Sequence, residues 1–391
     1  MFRNPAKYQP SETQCKSYIW MASKIIMSYS INIIISGGGT GGHLFPALAI
    51  RDEIQNRYPN AIIHYIGSQF GIEKDVLPIK NISHSLLPIR GFQRSISFNS
   101  IGKNLLLPVR IFSSIIEVKK LFNDIKPNLV IGTGGYAAAL PLREGIKREI
   151  PTLIQEQNSY PGITTRWFAN QATKVCIAFE DAAKYVKNKC IVVGNPVRKE
   201  INKGNRQDGI QKFGLDPSKK TLFVFGGSQG SLALNKLMNQ MISNLSISNI
   251  QVIWQTGKNL YNNYKKHENR AVKVLPFIED MASAYAVSDL VMSRSGAISC
   301  SELTACGKPS ILIPFPNAAA DHQTKNANAL VNHGAACMFN EKEAHPEKIT
   351  MMIQNLLIDE DRLAQMSKAS FQLGKPNATR NIVDEAIGLI K

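Results

Sequence analysis

Short runs of apolar, mostly β-branched residues recur along the chain and alternate with segments of helical periodicity. Within each run the apolar positions are nearly continuous, which is typical of parallel strands that are buried on both faces. We therefore predict parallel sheets whose strands are joined by helices. The runs span residues 31–36, 61–66, 128–132, 151–155, 174–179 and 189–193, and then 221–225, 250–255, 272–275, 290–293, 310–314 and 335–339.

The clearest helix signal follows the run at 221–225. Its apolar residues recur at helical spacing, and they are Leu234, Leu237, Met238, Met241, Ile242 and Leu245. The strand–helix alternation occurs twice, with a break at Gly194-Asn195-Pro196. This pattern predicts an α/β protein with two Rossmann-like doubly wound domains.

The break also sets the predicted domain boundaries. We place a first domain at 28–195 and a second at 196–372. A C-terminal helix at 373–391 could pack back on the first domain. Residues 1–27 precede the first convincing strand, and we interpret them as an N-terminal extension without a functional role.

Composition and charge narrow the class of protein. The 391 residues are 44% hydrophobic and 19% charged, which excludes a disordered chain. Lys and Arg number 46 against 29 Asp and Glu, so the formal net charge is +17. That excess suits nucleotides, nucleic acid or an anionic lipid surface, or it reflects a basic proteome. No apolar run reaches the roughly 18 residues of a membrane-spanning helix. We recognise no nucleic-acid-binding module and predict no nucleic-acid partner.

Three glycine-rich loops each follow a predicted strand. They occupy residues 36–43, 132–136 and 226–231, with the sequences SGGGTGGH, GTGGY and GGSQGS. Loop amides and helix N-termini favour anions, so we expect a phosphate-bearing ligand. None of the loops has the P-loop pattern, and no acidic residue follows the first at the position that grips a dinucleotide ribose. Ligands bind at the carboxyl ends of parallel strands, so the two domains should face each other across one cleft.

Titratable residues near these strand ends are candidates for chemistry, and each has a structural alternative. His43 could be a general base or a packed histidine, and Arg198 could pair with a diphosphate or lie at a surface hinge. Glu302 could accept ribose hydroxyls or complement a helix dipole. Glu156 and Asn158 follow the run at 151–155 and share the cleft edge.

Two further stretches bear on partners and cofactors. Residues 90–126 combine basic side chains with apolar ones, which suits either docking on an anionic bilayer or a core-facing helix with a basic solvent face. Asp359-Glu360-Asp361 has the spacing of a metal-binding motif but follows a helical run, so we interpret it as a solvated helix end. We predict no metal and no other cofactor.

A family resemblance is carried by several segments in order along the chain. They are GGGTGGHLFPALAI, GTGGYAAALP, QEQNSYPGITTRWFA, VGNPVR, GGSQGSLALN, SRSGAISCSELTACGKPSILIPFP and DHQTKNANAL. From about Ile31 onward, the chain resembles the MurG family, the bacterial UDP-N-acetylglucosamine–N-acetylmuramyl-(pentapeptide) pyrophosphoryl-undecaprenol N-acetylglucosaminyltransferases. The resemblance implies a GT-B fold, an inverting and metal-independent mechanism, and peripheral attachment to the cytoplasmic face of the inner membrane.

The resemblance also implies two substrates, with UDP-N-acetylglucosamine in the second domain and lipid-diphosphate-linked MurNAc-pentapeptide (lipid I) in the first. It places Glu302 on the ribose hydroxyls and Gln323 on the sugar of the donor. His43, Tyr136 and Glu156 would face the acceptor, with His43 as the first choice of general base and Glu156 as the second. The other implied substrate-binding residues are Thr40, Gly41, Gly42, Asn158, Arg198, Ser228, Gln229, Ile278, Ala297, Ile298, Ser299, Cys300 and Ser301.

The sequence departs from the family pattern at one informative position. A histidine often stands in that family where this chain has Gln155, which argues against an indispensable base there. Three other functions stay open: a UDP-N-acetylglucosamine 2-epimerase of the same architecture, a nucleic-acid-binding protein and a non-catalytic nucleotide-sugar sensor. An epimerase needs no lipid acceptor and would leave the stretch at 90–126 without a role.

Overall fold

We describe the fold from a computed structural model of the chain. It describes residues 31–90, 106–186, 190–247 and 249–390. The predicted extension at 1–27 lies outside these ranges, as do residues 91–105 of the basic and apolar stretch.

The first domain contains a seven-stranded parallel sheet. Its strands are β1 (Asn32–Ser36), β2 (Ile62–Ser68), β3 (His84–Leu87), β4 (Leu129–Gly132), β5 (Thr152–Glu156), β6 (Lys174–Ile177) and β7 (Cys190–Val192). Its helices are α1 (Gly41–Arg57), α2 (Glu73–Ile79), α3 (Leu107–Ile125), α4 (Ala139–Lys147) and α5 (Ile163–Phe168). The strand order is β3-β2-β1-β4-β5-β6-β7, so the chain winds outward in both directions from β1.

The second domain repeats the plan with a six-stranded sheet in the order β10-β9-β8-β11-β12-β13. Its strands are β8 (Thr221–Phe225), β9 (Gln251–Gln255), β10 (Val272–Leu275), β11 (Leu290–Ser293), β12 (Ser310–Leu312) and β13 (Ala336–Met338). Its helices are α6 (Arg206–Phe213), α7 (Leu232–Ile247), α8 (Tyr261–Tyr264), α9 (Met281–Val287), α10 (Ala297–Ala305), α11 (His322–Val331), α12 (Pro346–Ile358) and α13 (Glu360–Leu373), followed by α14 (Ala378–Ile387). The predicted pair of Rossmann-like doubly wound domains is confirmed, and the arrangement is that of the GT-B fold.

The continuous apolar runs reflect sheets that are covered on both sides. Successive residues of β1 enter different cores: Ile33 and Ile35 pack in one cluster with α1, whereas Ile34 packs in another with α3. All three isoleucines are fully buried. The predicted apolar face of α7 is confirmed, because its six listed positions are buried against the second sheet.

One strand, β3, was not predicted from the sequence. β3 pairs in parallel with β2 at the edge of the first sheet, and three of its four residues are only partly buried. An edge strand of this kind needs no apolar run, and the sequence HSLL gives none.

The C-terminal helix α14 crosses back to the first domain. Ile382, Val383 and Ile387 enter the same core as β1 and α1. Two ion pairs border this contact, with Asp384 2.6 Å from Arg57 and Glu385 2.8 Å from Lys174. The chain therefore passes between the domains twice, after β7 and before α14.

Helix α3 has two different faces. Its buried residues are Ser114, Val118 and Phe122. The opposite face leaves apolar side chains in solvent, with exposed fractions of 67% for Val109, 67% for Phe112 and 54% for Ile116. One face of this part of the 90–126 stretch thus faces the core, and docking of the exposed apolar face on a bilayer stays a prediction. Among the described residues, no helix is long and apolar enough to cross a membrane.

Candidate functional site

A single large cleft lies between the two sheets, at the carboxyl ends of their strands. Its cavity volume is about 2070 Å³, and residues of all three glycine loops line it. A typical site for one small ligand occupies about 300–1,000 Å³. The cleft therefore has room for two substrates at once.

The structure brings most of the predicted site residues into this cleft. The lining includes Thr40, Gly41, Gly42, His43, Tyr136, Glu156, Asn158, Arg198, Ser228, Ala297, Ile298, Ser299, Glu302 and Gln323. Four predicted residues, Gln229, Ile278, Cys300 and Ser301, do not line it.

These four residues lie outside the cavity lining, and their predicted roles in binding substrate stay predictions. The Cys300 side chain is fully buried in the core of the second domain, on the inner face of α10. The Ile278 side chain lies in that core too, and its backbone N–H donates to Gln255 Oε1 at 2.8 Å. Ser301 Oγ is 3.0 Å from Ala297 O, and Gln229 is exposed beside the cleft. A contiguous motif on a helix or tight loop presents only some of its side chains to a ligand.

The first glycine loop is organised by a buried carboxylate that the sequence analysis missed. Glu73 is fully buried, and it accepts hydrogen bonds from the Gly39 N–H at 3.0 Å and the Ser68 N–H at 3.0 Å. A Cβ at Gly38 would lie 2.2 Å from Glu73 Oε1, and one at Gly71 would lie 2.1 Å from Glu73 Oε2. The glycines therefore make room for this carboxylate. No feature of the neighbouring sequence distinguishes Glu73 from a glutamate on the surface of a short helix.

His43 lies in the first turn of α1, between the first two glycine loops. Its Nδ1 is 3.0 Å from Thr133 O and 2.8 Å from Gln157 Oε1. Gly134 has a φ of +94°, and a Cβ there would lie 2.9 Å from His43 Nδ1. The glycine at this position therefore allows the backbone of the second loop to pack directly against the imidazole ring of His43.

The structure argues against Glu156 as a general base. Its carboxylate is buried and accepts hydrogen bonds from the Asn158 N–H at 3.0 Å, the Gly162 N–H at 3.0 Å and Thr165 Oγ1 at 2.5 Å. These donors occupy both carboxylate oxygens. Glu156 therefore holds the loop that leads from β5 to α5, which is a structural role.

Glu302 differs because one of its oxygens is left without a hydrogen bond. Its Oε2 accepts from the Tyr285 hydroxyl at 3.1 Å, whereas Oε1 is buried without a hydrogen bond and forms an ion pair with Arg198 Nε at 3.4 Å. Burial raises the pKa of Glu302, against the smaller lowering effects of Arg198 and Tyr285. A buried carboxylate oxygen at a cavity wall is completed by a ligand that donates hydroxyl hydrogens.

Helix α11 of the second domain contacts the first domain beside the cleft. Gln323 lines the cavity, and its Oε1 accepts from the Phe315 N–H at 2.9 Å. One turn later, the fully buried Asn326 accepts from the Ser159 N–H at 2.9 Å. Lys325 Nζ lies 3.3 Å from the centroid of the Tyr160 ring. These cross-domain contacts were not predicted, because no local pattern reports which residues meet between domains.

Within the described ranges, no group of three or more His, Cys, Asp or Glu side chains is arranged to hold a metal ion. Groups suited to an anion that line the cleft include residues of the glycine loops, the Ser228 hydroxyl and the Arg198 guanidinium.

Comparison with known protein families gives two matches that together cover most of the chain. Residues 33–177 match the glycosyltransferase family 28 N-terminal domain, and residues 221–382 match the C-terminal domain of that family. A solved structure of MurG from Acinetobacter baumannii superposes with a TM-score of 0.76 at 26% identity, over 92% of this chain and 100% of the other. A UDP-N-acetylglucosamine 2-epimerase from Listeria monocytogenes, at 11% identity and a TM-score of 0.63, shares the fold alone.

Relatives at higher identity agree with these matches. A UDP-N-acetylglucosamine–N-acetylmuramyl-(pentapeptide) pyrophosphoryl-undecaprenol N-acetylglucosamine transferase from Flavobacterium psychrophilum is 41% identical over 362 residues, 92% of this chain and 97% of the relative. One of the same name from Christiangramia forsetii is 41% identical over 93% of this chain and 99% of the relative. The chain therefore belongs to glycosyltransferase family 28 and, within it, to the family of these MurG transferases.

Proposed function

We propose that this protein transfers N-acetylglucosamine from UDP-N-acetylglucosamine to the C4 hydroxyl of the muramyl sugar of undecaprenyl-diphosphate-linked MurNAc-pentapeptide, forming lipid II for peptidoglycan synthesis. The observation that carries the proposal is one cleft with two unlike walls. One wall has the buried oxygen of Glu302 that makes no hydrogen bond, and the other has His43 at the end of the first glycine loop, packed against the second. The names of the relatives supply the identity of the two substrates.

The donor is expected to lie along the second domain. Glu302 Oε1 would accept the ribose hydroxyls, with Ala297, Ile298 and Ser299 beside the uridine. Ser228 and Arg198 would contact the diphosphate, and Gln323 the sugar. Asn158, Thr40, Gly41 and Gly42 would close the site from the first domain.

The reaction is proposed to invert the anomeric centre without a metal ion. The acceptor hydroxyl attacks the α-linked anomeric carbon from the opposite face, a β-1,4 bond forms, and UDP leaves. Negative charge then develops on the diphosphate, where loop amides, Ser228 and Arg198 can stabilise it. His43 accepts the proton of the attacking hydroxyl, and Tyr136 lies on the same acceptor wall.

The acceptor is proposed to reach the cleft from a membrane surface. The apolar face of α3 carries Val109, Phe112 and Ile116 in solvent, with Lys119 and Lys120 on the same helix. Apolar side chains flanked by lysines suit the interface of an anionic bilayer. The proposed location is the cytoplasmic side of the inner membrane, where the protein would be peripheral.

The epimerase alternative shares the donor and the fold. It draws support only from structural likeness at low identity, and it gives no role to the exposed face of α3. Incubation with UDP-N-acetylglucosamine alone separates the two functions, because an epimerase alters the sugar nucleotide without any acceptor.

The decisive experiment is a transfer assay with labelled UDP-N-acetylglucosamine and a lipid-diphosphate MurNAc-pentapeptide. We expect a labelled, β-linked disaccharide lipid whose formation persists in EDTA. His43→Ala should lower turnover by about 10²- to 10⁴-fold, whereas His333→Ala, an exposed histidine beyond α11, should not. Absence of the disaccharide lipid would overturn the proposed function, and near-normal turnover of His43→Ala would remove His43 as the base.

A further inference from the structure

The hydrogen bonds around His43 determine which ring nitrogen carries the proton. Its Nδ1 has two close neighbours, Thr133 O at 3.0 Å and Gln157 Oε1 at 2.8 Å. A carbonyl oxygen only accepts hydrogen bonds, so Nδ1 must donate. In the neutral ring the lone pair then belongs to Nε2, which is bonded to none of the described residues.

Gln157 can accept from Nδ1 in only one orientation of its side-chain amide, and the surroundings fix that orientation. Gln157 Nε2 donates to Thr133 O at 2.8 Å, to Gln155 O at 2.9 Å and to Gln155 Oε1. A reversed amide would point its oxygen at three acceptors and leave them without donors. Since Gln157 is buried, such an arrangement would carry the full desolvation penalty of those groups.

The same amide is tied to the second domain. Gln155 Nε2 donates to Asn195 Oδ1 at 2.9 Å. Asn195 Nδ2 in turn donates to Gln157 O at 2.9 Å and to Ser301 Oγ of α10 at 2.9 Å. The side-chain amides donate in one direction, from Gln157 to Gln155 and from Gln155 to Asn195, and the three side chains are buried.

We propose that Gln157 is a positioning residue that holds His43 as the Nδ1-protonated tautomer, with the Nε2 lone pair directed to the acceptor side of the cleft. This inference rests on the proposed role of His43 as general base. As the acceptor hydroxyl proton moves to Nε2, positive charge develops on the ring, and the Nδ1–H bond to Gln157 Oε1 strengthens. Gln155 and Asn195 keep the amide in place from the domain boundary.

The first test measures the tautomer without any substrate. Long-range ¹H–¹⁵N spectra of ¹⁵N-histidine-labelled protein, with His43→Gln to assign the signal, report which ring nitrogen is protonated. We expect the Nδ1–H form in the wild type and an added population of the Nε2–H form in Gln157→Leu. A wild-type ring protonated on Nε2 when neutral would overturn the inference.

The second test measures kinetics. Gln157→Leu should lower kcat/KM for the acceptor by about 10- to 100-fold and leave KM for UDP-N-acetylglucosamine unchanged. Gln157→Glu places a carboxylate beside Nδ1, so the midpoint of the acid limb of the pH profile should rise by about one pH unit.

Gln251 offers a matched control, because it is another buried glutamine with several hydrogen bonds but lies at the start of β9, away from the cleft. Gln251→Leu and Gln251→Glu should cost stability and leave the pH midpoint in place. The inference fails if the Gln157 variants behave as the Gln251 variants do. Failure of the transfer assay with the expected tautomer would instead count against the proposed function alone.

Discussion

Three buried carboxylates in or near the cleft illustrate how the hydrogen bonds of a residue indicate its role. Glu73 and Glu156 are buried, and backbone or hydroxyl donors bind both of their oxygens. Glu302 is equally buried, but its Oε1 makes no hydrogen bond and has only an ion pair with Arg198. A buried carboxylate whose hydrogen bonds are all made within the protein stabilises the fold. One with an oxygen that lacks a hydrogen bond can gain that bond from a ligand.

Glu156→Gln should therefore affect stability more than chemistry. The substituted amide places N–H hydrogens against the Gly162 N–H or the Thr165 hydroxyl, which should cost about 1–3 kcal/mol in the free energy of unfolding. Urea unfolding measures the loss, and Glu53→Gln, which also lines the cleft, is the control. Wild-type stability combined with a turnover reduced more than a thousandfold would make Glu156 the base after all.

Glu302→Gln should weaken the binding of the sugar-nucleotide donor and raise the stability of the apoprotein. Burial raises the pKa of Glu302, so ionisation opposes folding as the pH rises through that pKa, and the neutral amide should make the apoprotein more stable at pH 7. Affinity for UDP should fall about 10- to 100-fold because charged acceptors bind hydroxyls more strongly.

Calorimetric titration with UDP at several pH values measures the expected loss of affinity. The affinity of the wild type should fall as the pH drops through the raised pKa of Glu302, whereas the affinity of the variant should be flat in that range. Equal affinity of the two proteins at neutral pH would contradict the assignment of Glu302 to the ribose.

At the residue scale, the sequence predicts those site residues whose chemistry follows from their immediate neighbours along the chain. The glycine loops point to His43 and Ser228, and both line the cleft. Gln157 and Glu73 were missed, because their hydrogen-bond partners come from segments that are distant along the chain. Cys300 belongs to the predicted helix α10, but its side chain lies on the face that packs in the core of the second domain.

Among the secondary-structure elements, strands were the easiest to predict. A strand covered on both faces must be apolar at every position, and that leaves a signal independent of its neighbours. β3 lacks the signal because it lies at a sheet edge. The ends of strands shift for a related reason: the run at 310–314 continues beyond β12, because Ile313 stays buried after the pairing stops.

Helix α9 provides a test of local electrostatics. Its N-cap Asp280 accepts from Lys212 Nζ at 2.6 Å, from Ser283 Oγ at 2.7 Å and from the Ser283 N–H at 3.0 Å. These bonds lower the pKa of Asp280 to about 2. The stabilisation is therefore complete above the unfolded pKa, near 4, and is lost as the pH falls through about 2.

Asp280→Ala should lower the free energy of unfolding by about 1 kcal/mol at pH 7. The difference from the wild type should shrink between about pH 4 and about pH 2. Urea unfolding at a series of pH values measures it, with the exposed Asp361→Ala in the first turn of α13 as a control. A difference that stays constant down to pH 2 would refute the capping argument.

At the scale of the whole molecule, the apolar face of α3 and the cleft should act together on a membrane. Phe112→Glu removes an exposed apolar side chain and adds a negative charge, so binding to anionic vesicles should weaken about tenfold. Phe371→Glu is a matched control, because Phe371 is also 67% exposed but lies on α13 of the second domain.

Vesicle sedimentation measures this binding, and a water-soluble acceptor analogue checks that the chemistry is intact. Turnover with the soluble acceptor should be the same in both variants. Equal loss of vesicle binding by Phe112→Glu and Phe371→Glu would show that α3 is not the docking face.

The return of α14 to the first domain also constrains how the protein is made. Ile382, Val383 and Ile387 complete the core built by β1 and α1, yet they are synthesised only after the whole second domain. At ordinary rates of translation, the apolar face of α1 remains uncovered by α14 for roughly tens of seconds. The domain that is synthesised first is therefore the last to be completed, and the nascent chain exposes an apolar surface that chaperones can recognise throughout translation of the second domain.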